Sequence, residues 1–217
     1  MKLGLDADGV LTTTRSVRKR LDLEKPVERE VIEECLEIAL QAPTGSNTQG
    51  WQWIFITDPE KKKVIADFYG ANYDMYTNRP DQPDYGVDDL RTSQRPKIMD
   101  SSRYLREVFH EVPVMMIPCI QGAGRLDTGV PTFGQASAWG SLLPAVWSFM
   151  LALRERGLGS AWTTLHLPNE KDVAELLGIP YDTVTQGGLF PIAYTKGTEF
   201  KLAKRLPASS VSHWDEW

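Results

Sequence analysis

The chain alternates between stretches of helical spacing and short apolar runs, without a regular rhythm. From about Pro26 to Gln41, Val31, Ile32, Cys35, Leu36, Ile38 and Ala39 recur at helical spacing, and Glu28 and Glu30 sit at the positive end of the dipole. Pro43 predicts the stop. Trp51 to Ile56 is an apolar and aromatic run interrupted only by Gln52, which predicts a buried strand. Asp58 followed by Pro59 predicts a capped helix whose buried stripe is Val64, Ile65 and Phe68. Between Gly70 and Glu111 Asn, Asp, Arg, Tyr and Pro dominate, which predicts a mobile excursion with short helices. It is either a lid over a site or a solvated connector.

Val112 to Ile120 predicts the next strand, although Pro113 and Pro118 argue against a central place in a sheet. A long helix from about Phe133 to Arg156 follows, ended by Gly157. Ser160 to Leu167 predicts a strand, and Asn169 to Leu177 a short helix closed by Gly178 and Pro180. Leu189 to Tyr194 predicts a last strand, leaving a tail from Thr195 to Trp217. No Gly-x-Gly-x-x-Gly follows the first strand, so a Rossmann domain is not supported. An α+β fold with a sheet between helices is expected.

The 217 residues suit one domain with an elaborated insertion. Net charge is −5 and no basic block exceeds Lys61-Lys62-Lys63, which argues against nucleic acid as a partner. Cys35 and Cys119 fall in apolar patterns, so neither a disulfide framework nor a zinc site is expected. Two buried thiols suit a reducing cytoplasm. Asp6 and Asp8 stand where a signal peptide would have its apolar run. Thr128 to Leu153 carries no charge and is long enough for a membrane span, but Pro131, Gly134, Gln135, Ser137, Gly140, Ser141, Pro144 and Ser148 break it. It reads as a helix buried on all sides rather than a membrane helix. Its small residues Ala136, Gly140, Ser141 and Ala145 would admit another helix closely, so a subunit interface is expected there.

Two motifs carry the chemistry. Arg15-Ser16-Val17-Arg18-Lys19-Arg20 clusters cations and a hydroxyl suited to phosphate oxygens. Ala42-Pro43-Thr44-Gly45-Ser46-Asn47-Thr48-Gln49-Gly50-Trp51 is a turn of small polar residues that lets backbone approach a flat ligand. Together they point to a phosphorylated planar cofactor. The plainer reading of Arg15 to Arg20 is a solvated helix end. A third motif, Leu5-Asp6-Ala7-Asp8-Gly9-Val10-Leu11, looks like the opening of haloacid-dehalogenase-type phosphatases. It lacks a preceding buried strand, and Asp88-Asp89 follow no apolar run, so an acidic turn that starts a helix, capped by Asp8, is the better reading. His110, His166 and His213 are scattered and read as structural or exposed, and no catalytic side chain and no metal site is expected.

Arg-Ser-Val-Arg, then a helix, then Ala-Pro-Thr-x-x-Asn-x-Gln-x-Trp resembles the FMN-dependent nitroreductase family in order and spacing. Arg156 to Thr164, Gly187 to Tyr194 and Lys204-Arg205-Leu206-Pro207 agree, so the resemblance runs from about Thr14 to Pro207. Some motifs are also like those of iodotyrosine deiodinases. The resemblance implies a single FMN-binding domain over residues 1–217, with a polar insertion or lid at about 70–111 and a C-terminal arm at about 195–217. It implies a central mixed or antiparallel sheet sandwiched by helices in a domain-entwined homodimer. Arg15, Ser16, Arg18, Lys204 and Arg205 would hold the FMN phosphate. Thr14 stands where many members carry another arginine. Pro43, Thr44, Ser46 and Asn47 would line the ring and ribityl chain, from the same or the partner subunit. Thr163 and Thr164 would face flavin N5 or O4, unless they are ordinary strand residues. Tyr73, Tyr76, Arg79 and Tyr85 would cap the pocket and choose the acceptor, and Trp214 and Trp217 would pack on the partner. The implied activity is ping-pong hydride transfer from NAD(P)H through FMN to nitroaromatics or quinones. A reductive dehalogenase of the same fold and a flavin-sequestering protein are the alternatives.

Overall fold

The computed structural model describes residues 2–127 and 129–217. Met1, and Thr128 at the start of the charge-free stretch, lie outside them. Among the described residues six α-helices and five strands run in chain order: α1 (Ala7–Thr13), α2 (Arg29–Ala39), β1 (Trp51–Ile56), α3 (Pro59–Asn78), α4 (Leu90–Val108), β2 (Val114–Gln121), α5 (Thr132–Glu155), β3 (Leu158–Ser160), α6 (Glu170–Leu177), β4 (Val184–Gln186) and β5 (Phe190–Tyr194). The strands form one sheet in the order β1-β2-β5-β3, with β4 also on β2, and every strand pair is antiparallel. Helices cover both faces, as expected.

β2 organises the sheet. Val114, Met116 and Ile120 join a core with Leu142, Val146 and Phe149 of α5 and Ile32 and Cys35 of α2. Met115, Ile117 and Cys119 point the other way, into a core with Ile65 and Tyr69 of α3, Leu105 of α4 and Val173 of α6. Burial on both faces explains a strand that is apolar throughout instead of alternating.

Pro118 therefore lies in a central strand, against the expectation. Its carbonyl accepts from Gly187 N at 2.7 Å, on the edge where β4 has ended and β5 has not begun. A residue's N–H and C=O point to the same side of an antiparallel strand, so the missing N–H faces that gap and costs no ladder bond.

Several boundaries differ from the sequence reading for physical reasons. The cap of α1 is Asp6, which accepts from Gly9 N, and Asp8 falls in the first turn. Arg15 to Arg20 is not a helix end, because α1 stops at Thr13. The excursion after Gly70 contains no short α-helix. α3 continues to Asn78 because Tyr69 and Tyr73 extend its buried stripe, and α4 runs for 19 residues from an Asp89 cap, through Pro96. The strand expected over Ser160–Leu167 is only Leu158–Ser160, followed by a single bridge between Thr163 and Leu189. β4 was not foreseen at all.

α5 is the one described helix long and apolar enough to cross a membrane, yet its inner side lies on the sheet. It is not buried on all sides. Phe133 is 80% and Trp147 39% exposed, and with Ser137, Gly140 and Pro144 they form one outward stripe at alternating spacings of four and three. That is the spacing of a helix seam.

Gly159 shows how tightly the chain ends are joined to the sheet. A Cβ there would meet Val17 Cβ and Thr195 Cγ2, both at 2.8 Å. Gly159→Ala is expected to cost about 1–3 kcal/mol through overpacking, read as a lowered urea midpoint with unchanged m-value. An unchanged midpoint would show that the segments part freely.

Candidate functional site

Two segments nearly the whole chain apart lie side by side. Leu21 bridges Thr195, Asp22 N donates to Tyr194 O at 2.8 Å, and Lys196 N donates to Arg20 O at 2.8 Å. Arg20 donates to the carbonyls of Lys196, Gly197 and Glu199, and Arg15 to those of Thr12, Thr14 and Lys201. Phe200 sits beneath two guanidiniums, Arg20 at 4.1 Å and Arg154 at 4.9 Å from its ring centroid. A planar fork with several donors is suited to stitching segments in this way.

The seam frames a cavity of about 710 Å³. Arg15, Ser16 and Arg18 line it from one end of the chain, and Lys204 and Arg205 from the other. The structure thus brings together the five residues that the family resemblance assigned to a phosphate. α4 adds Gln94, Lys97 and Ile98, α5 adds Trp147 and Met150, and Trp162 follows β3. Sequence reasoning missed these. The only available signal was the helical spacing of Gln94, Lys97, Ile98 and Ser101 behind the Asp89 cap, hidden in a polar stretch.

No carboxylate lines the cavity, and among the described residues none of Arg15, Arg18, Lys97, Lys204 and Arg205 is ion-paired. Burial, and then the nearby Arg205, hold Arg15 below the usual guanidinium pKa. Burial does the same to Arg18, whose NH1 reaches Ser101 Oγ at 3.3 Å. Positive charge here lacks a negative partner, and a phosphate dianion is the chemistry that satisfies it. Trp147, Met150, Trp162 and Ile98 give the same cavity an apolar wall suited to a flat ring. The residues present therefore fit the FMN that the sequence implied.

The other expected cofactor residues are not in this cavity. Pro43, Thr44, Ser46 and Asn47 form an exposed turn on the N-terminal half of α5, where Gly45 N donates to Ser141 Oγ at 2.9 Å. Ser46, Asn47 and Gln49 all have left-handed backbone, at φ 51°, 54° and 49°. Such strain in non-glycine residues clusters at ligand clamps. Thr163 donates both its N–H and its hydroxyl to Leu189 O, so its side chain is occupied. Thr164, next to it, is exposed and keeps its hydroxyl free of any partner among the described residues.

The four lid residues divide. Tyr73 is buried, with its hydroxyl 2.9 Å from Ser102 Oγ, and belongs to the core. Arg79 lies over the Tyr76 ring and pairs with Asp81 at 3.3 Å, lining neither this cavity nor the one next to it. Tyr76 and Tyr85 line that neighbouring pocket.

His213 is exposed and His110 half-buried, while His166 is fully buried. Its Nε2 is 3.1 Å from Gln186 Oε1, and Gln186 is held by Glu170, which pairs with Arg125. The His166 Nδ1 has no partner among the described residues. This network fixes the turn that carries Thr163 and Thr164.

An antiparallel sheet between helices thus carries a cationic cavity, lined by no carboxylate among the described residues, where the segments around Arg15 and Arg205 meet. Residues 11–194 match the nitroreductase family, and the chain belongs to it. An iodotyrosine deiodinase of Thermotoga neapolitana is 25% identical over 185 residues, 85% of this chain and 86% of that protein. The deiodinase of Nematostella vectensis is 28% identical over 106 residues, 45% of this chain and only 39% of that protein. The crystal structure of the FMN and NADPH-dependent nitroreductase NfnB from sphigopyxis sp. strain HMH shares the fold, with a TM-score of 0.69 at 21% identity over 98% of this chain and all of that one.

Burial lowers His166 from 6.5 to about 4, so the unfolded chain takes up a proton that the folded chain refuses. Stability is therefore expected to fall as pH drops from about 6.5 towards 4, by on the order of 3 kcal/mol in total. Urea unfolding across that range checks it, and His166→Leu should lose this part of the slope. A slope unchanged in the variant would contradict the burial of a neutral imidazole.

Proposed function

We propose that this chain is an FMN-dependent NAD(P)H oxidoreductase that reduces nitroaromatic or quinone acceptors. The observation that carries the reading is the cavity in which Arg15, Arg18, Lys97, Lys204 and Arg205 face one space without a carboxylate. Arg15, Arg18 and Arg205 grip the phosphate through charge-assisted bonds, with Lys204 and Lys97 adding compact charge. Trp147 and Trp162 keep water from one side of the ring. Thr164 offers a donor where negative charge accumulates on reduction. FMN held by these residues would supply the redox chemistry of a ping-pong hydride transfer from NAD(P)H to the acceptor. Residues 1–217 act as one flavin-binding domain, with the segment at 70–111 covering the site and the segment at 195–217 serving as an arm. Cys35 and Cys119, pushed up to about 11 and about 12 by burial, stay as thiols, which suits the cytoplasm.

The working unit is a homodimer joined along α5. Trp147 belongs both to the outward stripe and to the cavity wall, so the stripe leads directly to the site. A second copy packed there carries its own strained Pro43–Asn47 turn, which supplies the ring contacts that one chain lacks. An added Cβ at Gly140 would meet nothing within 4 Å in the single chain. The likeness to iodotyrosine deiodinases favours one second reading, a reductive dehalogenase.

Gently purified protein should be yellow, and NADPH or NADH should bleach the colour, which nitrofurazone or menadione restores. Turnover of 3-iodotyrosine but of neither acceptor would favour the dehalogenase, and colour that no nicotinamide bleaches would favour sequestration. Arg205→Ala should weaken FMN binding at least about tenfold, the low end for one charge-assisted contact. Unchanged affinity removes Arg205 from the site. Gly140→Trp should convert the dimer to monomer in sedimentation and release flavin. A variant that remains a yellow dimer would place the interface elsewhere.

A further inference from the structure

A second pocket, of about 230 Å³, adjoins the cationic cavity. Tyr76, Tyr85, Arg91, Arg95 and Met99 line it, together with Gln94 and Ile98. Gln94 and Ile98 also line the larger cavity, so one turn of α4 is a wall common to both. The volume suits one substituted aromatic ring, since about 150 Å³ already holds benzene.

The two arginines differ in a way that bears on the ligand. Arg91 is neutralised: its Nε and NH2 each reach an Asp89 oxygen at 2.9 Å, and that contact pushes the Asp89 carboxyl down to about 2. Arg95 is not. It donates to Pro83 O at 2.9 Å and Gln82 Oε1 at 2.6 Å, both uncharged, and pairs with no acid among the described residues. A guanidinium has five N–H donors, so Arg95 can still engage an anion without releasing the loop. The rings beside it are electron-rich and held in place, with the Arg91 guanidinium carbon 4.2 Å from the Tyr85 centroid and that of Arg79 4.7 Å from the Tyr76 centroid. An electron-poor ring stacks well on such faces.

We propose that this pocket is the acceptor subsite and that it takes a single aromatic ring bearing an acidic group. The carboxylate or phenolate binds Arg95, the ring lies against Tyr76 and Tyr85, and the reducible substituent points past Gln94 and Ile98 towards the larger cavity. The inference rests on the flavoenzyme reading and adds the charge of the substrate. It makes Arg95 a specificity-determining residue that takes no part in holding the cofactor.

The test compares 4-nitrobenzoate with its uncharged amide, 4-nitrobenzamide, binding to oxidised flavin-loaded protein by calorimetry. The acid should bind at least about fivefold more tightly, a modest value for a half-exposed charge-assisted contact. KM values should follow the same order. Arg95→Gln should erase the preference, and Arg95→Lys, which keeps the charge, should restore most of it. Equal affinities in the native protein, or a preference that survives in Arg95→Gln, overturn the proposal. If the compounds bind equally while NAD(P)H still bleaches the flavin, only the subsite falls. If the protein retains no flavin, the flavoenzyme reading falls and takes the subsite with it.

Discussion

The seam between residues 15–22 and 194–201 is the constraint on which the rest of the structure depends. It brings cations from opposite ends of the chain to one place, where their mutual repulsion opposes folding. What offsets the repulsion is local and visible. Arg15 and Arg20 turn their forks towards six backbone carbonyls. Phe200 shields Arg20 and Arg154, and Gly159 lets Val17 and Thr195 approach closer than any side chain would permit. Among the described residues Lys204, Arg205 and Arg18 are left without a negative partner, and the proposed phosphate site rests on that shortage. On the proposed reading, an anion bound there relieves a repulsion that the fold itself creates.

The sheet explains why the site lies where it does. β2 is buried on both faces, with α5 against one and α3, α4 and α6 against the other. α5 contributes Trp147 and Met150 to the cavity, and α4 contributes Gln94, Lys97 and Ile98. The cavity therefore opens where the two layers and both chain ends meet. Any ligand filling it ties the polar excursion to the core, since α4 reaches the Arg15–Arg20 segment through Lys19–Asp100 at 2.5 Å and Arg18–Ser101. Both contacts are shallow, and the exposed ion pair adds little stability by itself.

Where the sequence is legible, the physics is local. β1 is bounded as its apolar run predicts, Asp58 caps α3 with Pro59 behind it, and Gly157 and Gly178 end their helices in left-handed backbone. The Arg15–Arg20 cluster was legible as cationic from residue type, whereas Lys204 and Arg205 were reached only through the family resemblance, because the 186 positions between Arg15 and Lys201 carry no local signal of their meeting. The illegible parts depend on tertiary context. Pro118 reads as a strand breaker until the gap at Gly187 is known. α4 reads only as short helices in a polar excursion, because it is polar, contains Pro96 and buries only Leu105. Tyr73 reads as a lid residue, but the stripe of α3 carries it into the core. β3 was misplaced because its three residues are too few to show a period.

The account stands most directly on how the protein discriminates between FMN and riboflavin, which share a ring and differ by one phosphate. Fluorescence titration of flavin-free protein should show FMN binding about a hundredfold more tightly, as two charge-assisted contacts at the low end of their range require. The gap should narrow as salt is raised. Equal affinity for the two flavins, at any ionic strength, would contradict a cavity whose cations exist to hold a phosphate.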